Sequence, residues 1–169
     1  MSKATPRGAV AKFAAAGKGM PKKDLGMIAM TYGNIYVAQI AHNANMNQAV
    51  KAFAEAEAYE GPSLIIAYTQ CIAHGHDMLK GTEVQKLAVD SGFWPLYRFN
   101  PDNVTQGKQP LMLDSKAPTA NIEDFMYMQN RFRILRTADP DRAQTLMEAL
   151  RDDVQTRWKM YEQWAQFDI

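Results

Sequence analysis

Two short apolar runs with helix-patterned sequence between them constrain this chain most. Residues 35–40 read Ile-Tyr-Val-Ala-Gln-Ile and residues 64–69 read Leu-Ile-Ile-Ala-Tyr-Thr. Both are short and rich in β-branched and aromatic side chains, which is strand chemistry. Residues 47–59 between them have helical character, with Val50, Phe53 and Ala54 expected to face inward and Gly61-Pro62 as the stop. Strand, helix, strand in that order is a βαβ unit. A second strand that is apolar on both faces predicts a parallel sheet flanked by helices, so the expected fold class is α/β. At 169 residues, 47% of them hydrophobic, the chain can form one domain with a real core.

Caps and punctuation extend the reading. Residues 8–16 predict a short helix with Val10 and Phe13 on one face and Gly17 as its stop. Pro21 opens a second helix that runs toward Tyr32 and ends at Gly33. Thr82-Glu83-Val84-Gln85 has the form of a capping box, so a helix is expected from there to Ser91. Residues 93–99 contain Pro95, which cannot donate to a central ladder; that strand lies at an edge or begins at the proline. Residues 111–113 supply a short extra strand.

From residue 116 onward the pattern is helical only, which divides the chain into an α/β part (1–115) and an all-helical carboxyl-terminal extension (116–169). Asn121 caps one helix with the stripe Ile122, Phe125, Met128, Phe132 and Leu135. Asp139-Pro140 caps the last, which reaches Trp164 and carries Leu146, Leu150, Val154, Trp158 and Tyr161 on one side. A helix of that length with an aromatic stripe needs a large surface. It reads as a tail packed across a bigger body, with a lid folded back on the chain's own sheet as the alternative.

Cys71 is the only cysteine, and it stands just past the second strand. A single cysteine excludes an internal disulfide and suits a reducing compartment. The carboxyl ends of parallel strands are where open α/β sheets bind ligands, which makes Cys71 a candidate metal ligand. An inert buried cysteine is the other reading. One thiolate cannot hold an iron–sulfur cluster or a structural zinc by itself, because both take four ligands. A functional Cys71 therefore implies a site completed by other residues. His74 and His76 follow closely, but Cys-x2-His-x-His fits no standard zinc spacing, and both read as loop residues.

Six bases and no acid in residues 1–23 leave a charge of −5 on the remainder of a chain whose net charge is +1. The basic start reads as a solvated patch, so no nucleic-acid partner is expected. Lys12 interrupts the one signal-like stretch, and no run approaches the ~18 apolar residues of a membrane span, so no membrane partner is expected. No serine lies in G-x-S-x-G, and Glu55 and Glu57 sit two apart on a helix, pointing to different faces. No catalytic residue is assigned.

Several blocks carry a resemblance. They are Ser2-Lys3-Ala4-Thr5-Pro6-Arg7-Gly8-Ala9-Val10-Ala11-Lys12-Phe13, Lys22-Lys23-Asp24-Leu25-Gly26, Thr31-Tyr32-Gly33-Asn34-Ile35-Tyr36-Val37-Ala38, Glu55-Ala56-Glu57-Ala58-Tyr59-Glu60-Gly61-Pro62-Ser63-Leu64-Ile65-Ile66-Ala67-Tyr68, Ser91-Gly92-Phe93-Trp94-Pro95-Leu96-Tyr97-Arg98 and Leu113-Asp114-Ser115-Lys116-Ala117-Pro118. Together they resemble the carboxyl-terminal portion of the pyruvate:ferredoxin (or flavodoxin) oxidoreductase family, nearly from end to end. The resemblance implies a partial thiamine diphosphate-binding fold, with the later half of that domain at 1–115 and the terminal extension at 116–169. It implies a cytoplasmic, homodimeric enzyme of anaerobic metabolism. That enzyme oxidatively decarboxylates pyruvate to acetyl-CoA and CO2, using thiamine diphosphate, Mg2+ and [4Fe–4S] clusters, and passes electrons to ferredoxin or flavodoxin.

On the same resemblance Cys71 corresponds to the last of four thiolates that hold the cluster nearest the thiamine. The other three family cysteines lie upstream and have no counterpart here. The family's Gly-Asp-Gly fingerprint and its magnesium-ligand stretch are likewise absent, so Met1 corresponds to an internal position of the longer protein. The expectation is a carboxyl-terminal fragment or split subunit that works only with the remainder of the oxidoreductase. The alternative is a non-catalytic structural or interaction module derived from that enzyme.

Overall fold

A computed structural model describes residues 2–167 of the chain. In chain order α1 (Leu25–Met30) leads into β1 (Tyr36–Ile40), α2 (Met46–Ala58) and β2 (Ser63–Ala67). Then come α3 (Gly81–Asp90), β3 (Tyr97–Phe99), β4 (Leu111–Leu113), α4 (Ile122–Met126), α5 (Asn130–Ala138) and α6 (Pro140–Ala165). The strands form one sheet in the order β2-β1-β3-β4. β1 and β2 run parallel, from Tyr36 opposite Ser63 to Ile40 opposite Ala67. The other two pairings, β1 with β3 and β3 with β4, are antiparallel. The α/β class therefore stands, with parallel pairing confined to the βαβ unit.

β1 is buried along its whole length and divides two layers. Tyr36, Ala38 and Ile40 face α2 through Ala49 and Ala52. Val37 faces the other side with Tyr97, Phe99 and Leu111, where α1 and the end of α6 cover the sheet. Tyr97 stacks on Tyr161 of α6 with ring centroids 4.9 Å apart. Gly26 on α1 is what lets that helix sit down: a Cβ there would lie 1.7 Å from the Tyr97 hydroxyl. A larger core lies beyond the sheet and joins Ala9, Tyr68, Val84, Phe93, Trp94, Phe125, Phe132, Leu150 and Val154. Tyr68 meets Trp94 edge-on at 5.3 Å, and the Trp94 indole donates to the Ile40 carbonyl at 3.0 Å.

Several expectations need correction. Residues 8–16 are not a helix. Gly8 and Gly17 adopt positive φ, and the segment folds into turns with a bridge between Ala11 and Ala14. Its backbone finds partners elsewhere: Gly8 N–H donates to Lys18 O at 2.8 Å and Val10 N–H to Arg131 O at 2.7 Å. Phe13 is 85% exposed instead of facing a core. On α2 the inward residues are Gln48, Ala49 and Ala52, while Val50, Phe53 and Ala54 are exposed, the first two at 61% and 58%. Against a strand surface bearing Tyr36, the alanine face lets the helix approach closely, and that sets its rotation.

α3 begins at Gly81, before the expected capping box, and Lys80 occupies the cap position without a side-chain bond. The single helix expected after Asn121 is two, broken around the fully buried Gln129, although Ile122, Phe125, Phe132 and Leu135 all remain buried. β3 starts beyond Pro95 and is an interior strand. α6 is capped by Asp139, whose carboxylate accepts from Arg142 N–H, and all five expected stripe residues are buried. Its 26 residues span about 39 Å at 1.5 Å each. The reading of α6 as a tail reaching for a bigger body gives way to the lid, since its stripe is satisfied by the chain's own core and sheet.

The basic start is also less solvated than expected. Lys18 is 3% exposed and its ammonium donates to the carbonyls of Lys3, Thr5 and Pro21. Arg7 grips Asp153 of α6 through bonds of 2.6 and 3.1 Å. Among the described residues no helix is long and apolar enough to cross a membrane.

Candidate functional site

The parallel pair fixes where the loop of Cys71 begins. Tyr68 N–H donates to Ile40 O at 2.9 Å, so pairing continues one step past β2 before the chain leaves the sheet. Cys71 is extended (φ −134°, ψ 132°) and starts a single 3-10 turn over Ile72–His74. His74 N–H closes that turn on the Cys71 carbonyl at 3.0 Å. The thiol is free and the residue exposed. Of the two readings open in the sequence, the inert buried cysteine does not describe this one.

Two contacts hold the loop to distant elements. Gly75 has φ +72°, and its carbonyl accepts from Asn130 N–H, at the start of α5, at 3.3 Å. A Cβ at Gly75 would sit 2.3 Å from that of Asn130, so a residue without a side chain is required at this junction. The buried Gln85 on α3 ties the two strand-end loops together. Its Oε1 accepts from Asn43 N–H, after β1, at 2.9 Å, and its Nε2 reaches Gln70 Oε1, after β2, at 3.4 Å. The sequence offered Gln85 only as the last residue of a capping box and gave no signal for Asn130, because both act across elements.

Ile72, Ala73, His74 and Gly75 form one wall of a cleft of about 530 Å³; Asn130, Arg131 and Ile134 of α5 form another, and Val10, Ala11 and Lys12 close it. Burial pulls the Arg131 guanidinium below its ordinary value, an effect partly offset by Tyr68 and by Cys71. His74 and His76 are both held below the usual histidine range, first by burial and then by the Arg131 charge. His76 is buried, and its Nδ1 has no hydrogen-bond partner.

Among the described residues no three His, Cys, Asp or Glu side chains converge as a metal site. The donor set present here is thus one accessible thiol sulfur, with no second cysteine in the sequence. That fits a polynuclear centre ligated jointly with another stretch of polypeptide, and does not fit a zinc site made by this chain from Cys71 and its histidines.

No family model matches the chain. Curated relatives do. A pyruvate-flavodoxin oxidoreductase of Trichormus variabilis is 54% identical over 169 residues, all of this chain but 14% of the relative. A putative pyruvate-flavodoxin oxidoreductase of Synechocystis sp. is 57% identical over 161 residues, 95% of the chain and 13% of the relative. A pyruvate:ferredoxin oxidoreductase of Moorella thermoacetica is 47% identical over 165 residues, 98% of the chain and 14% of the relative. The chain thus spans about one-seventh of the length of the relatives it matches.

Proposed function

Because this chain is homologous over its full length to one segment of the pyruvate-flavodoxin and pyruvate:ferredoxin oxidoreductases, we propose that it works as part of such an enzyme, where Cys71 donates one thiolate to a [4Fe–4S] cluster. The parent reaction is the oxidative decarboxylation of pyruvate to acetyl-CoA and CO2, with electrons delivered to ferredoxin or flavodoxin in the cytoplasm. The remainder of the oxidoreductase supplies three further thiolates and the thiamine diphosphate and Mg2+ sites. The whole enzyme is a homodimer.

The observation that carries the reading is the exposed Cys71 thiol at the carboxyl end of the parallel β1/β2 pair. A soft, anionic donor there suits iron, and the sheet fixes the backbone from which it projects. When bound, the cluster would take up and pass on one electron at a time. This chain's own residues do the holding. β2 anchors the loop at Tyr68, Gly75 and Asn130 pin its far end, and Gln85 keeps the neighbouring strand-end loop in place.

The test is Cys71→Ser in a complete oxidoreductase carrying this segment. Iron content per enzyme and the low-temperature EPR spectrum should lose one cluster's contribution, with far-UV circular dichroism unchanged. Unaltered iron content and spectrum would remove Cys71 from the ligand set.

A further inference from the structure

Arg131 has no carboxylate partner among the ion pairs of the described residues. Its Nε donates to the neutral Gln129 Oε1 at 2.7 Å, and its guanidinium carbon lies 5.2 Å from the Phe132 ring centroid. Neither contact neutralises it. The side chain is half-buried and lines the cleft together with Ile72, Ala73, His74 and Gly75, the residues that follow Cys71. Both walls are fixed by backbone bonds, Val10 N–H to Arg131 O at 2.7 Å and Asn130 N–H to Gly75 O at 3.3 Å. On the same loop the buried His76 Nδ1 is also left without a partner. Moving a cation partly out of water without pairing it is costly, and an anion in the cleft would offset that cost.

We propose that Arg131 is a positioning residue that supplies a fixed positive charge beside the loop that begins at Cys71, attracting anionic partners to that sulfur and easing reduction of a cluster bound there. The second half of this statement rests on the ligand reading above. The first half needs only the thiol, so the two can fail separately.

The test on the full chain compares two disulfide reagents at one pH, the dianionic 5,5′-dithiobis(2-nitrobenzoate) and the neutral 4,4′-dithiodipyridine. The ratio of their rates at Cys71 cancels any change in thiolate fraction and reports the local field. Arg131→Gln should lower the ratio several-fold and Arg131→Lys should largely preserve it. Lys12→Gln, which removes the exposed cation at the rim of the cleft, should leave it within twofold. In the unmodified chain the ratio should fall as salt is raised toward about 1 M, where the screening length is ~3 Å. A ratio that is insensitive to salt overturns the proposal whether or not any variant folds. Equal effects of Arg131→Gln and Lys12→Gln overturn the assignment to Arg131.

In the complete oxidoreductase, the cluster signal that Cys71→Ser removes should persist in Arg131→Gln with a more negative midpoint potential. The expected change is tenfold in the reduction equilibrium, about 59 mV for one electron. An unchanged potential refutes the role in reduction. Persistence of the signal in Cys71→Ser refutes the ligand reading instead.

Discussion

The Arg98 guanidinium on β3 holds the Asp114 carboxylate through two parallel hydrogen bonds of 2.9 and 2.8 Å. Arg98 lies opposite Ala38 in the sheet, on the face covered by α2, and its third contact is Glu55 on that helix. Glu55 in turn accepts from the Tyr36 hydroxyl at 2.9 Å, and Asp114 from Gln48 at 3.1 Å. The Glu55 and Asp114 carboxylates flank one arginine whose side chain is 6% exposed, so strand, helix and the turn after β4 are joined through a single charge.

Removing one partner of such a pair leaves a buried ion uncompensated, which costs about 3–5 kcal/mol. Asp114→Ala leaves Glu55 on the guanidinium, so it should destabilise the chain by less than that full cost, about 1–3 kcal/mol, measured by urea unfolding. Arg98→Met leaves the Asp114 and Glu55 carboxylates side by side with no cation between them, so it should cost more than Asp114→Ala. The reverse order would mean that packing, and not charge, dominates at this position.

Val50 and Phe53 on α2 lie outside the core despite their chemistry. Val50→Lys and Phe53→Glu should each shift the stability of the chain by no more than about 0.5 kcal/mol. Ala52→Leu on the same helix, which is 0% exposed against β1, should cost about 1–3 kcal/mol through overpacking. Thermal melts of the three variants separate the two faces.

Alkaline pH should unfold the chain through its buried tyrosines. Burial pushes Tyr68 up to about 12, and Tyr97 and Tyr161 are raised by burial and by the Asp24 carboxylate. Each holds its proton longer when folded than when unfolded. Their contribution is complete below the unfolded value near 10 and is lost as pH rises through the folded one. The slope is up to about 1.4 kcal/mol per pH unit for each group. Denaturant midpoints should fall steadily above pH ~10, and Tyr68→Phe should flatten part of that fall.

Gly75→Ala should loosen the loop that bears Cys71 without unfolding the molecule. The new methyl meets Asn130, and the residue must also keep a left-handed backbone, which costs an L-residue about 1–2 kcal/mol. Hydrogen exchange should accelerate over residues 71–77 and at Asn130, while amides of β1 stay protected. Unchanged exchange at Asn130 would mean that its bond to Gly75 does not restrain the loop.

What the sequence made legible is what is local. Asp139-Pro140 announces the start of α6, and the spacing of Leu146, Leu150, Val154, Trp158 and Tyr161 fixes its buried side, because helical period and capping act within a few residues. The βαβ unit was equally readable. The rotation of α2 was not, since which stripe goes inward depends on the strand surface it meets. Residues 8–16 misled for a similar reason: their backbone partners, Lys18 and Arg131, belong to other parts of the chain. Cys71 could be singled out by its uniqueness and its place after a strand, but the pairing of its loop with Asn130 and Arg131 has no signature in sequence spacing.

The exposed sulfur also decides how this polypeptide ages in air. With Cys71 as its lone thiol, two molecules can join through one bridge and then have nothing left to oxidise into further links. Covalent growth stops at the pair. A non-reducing gel of a stored sample would show a single band of doubled mass and no ladder, and the same uniqueness lets one maleimide dye mark every molecule at one known position.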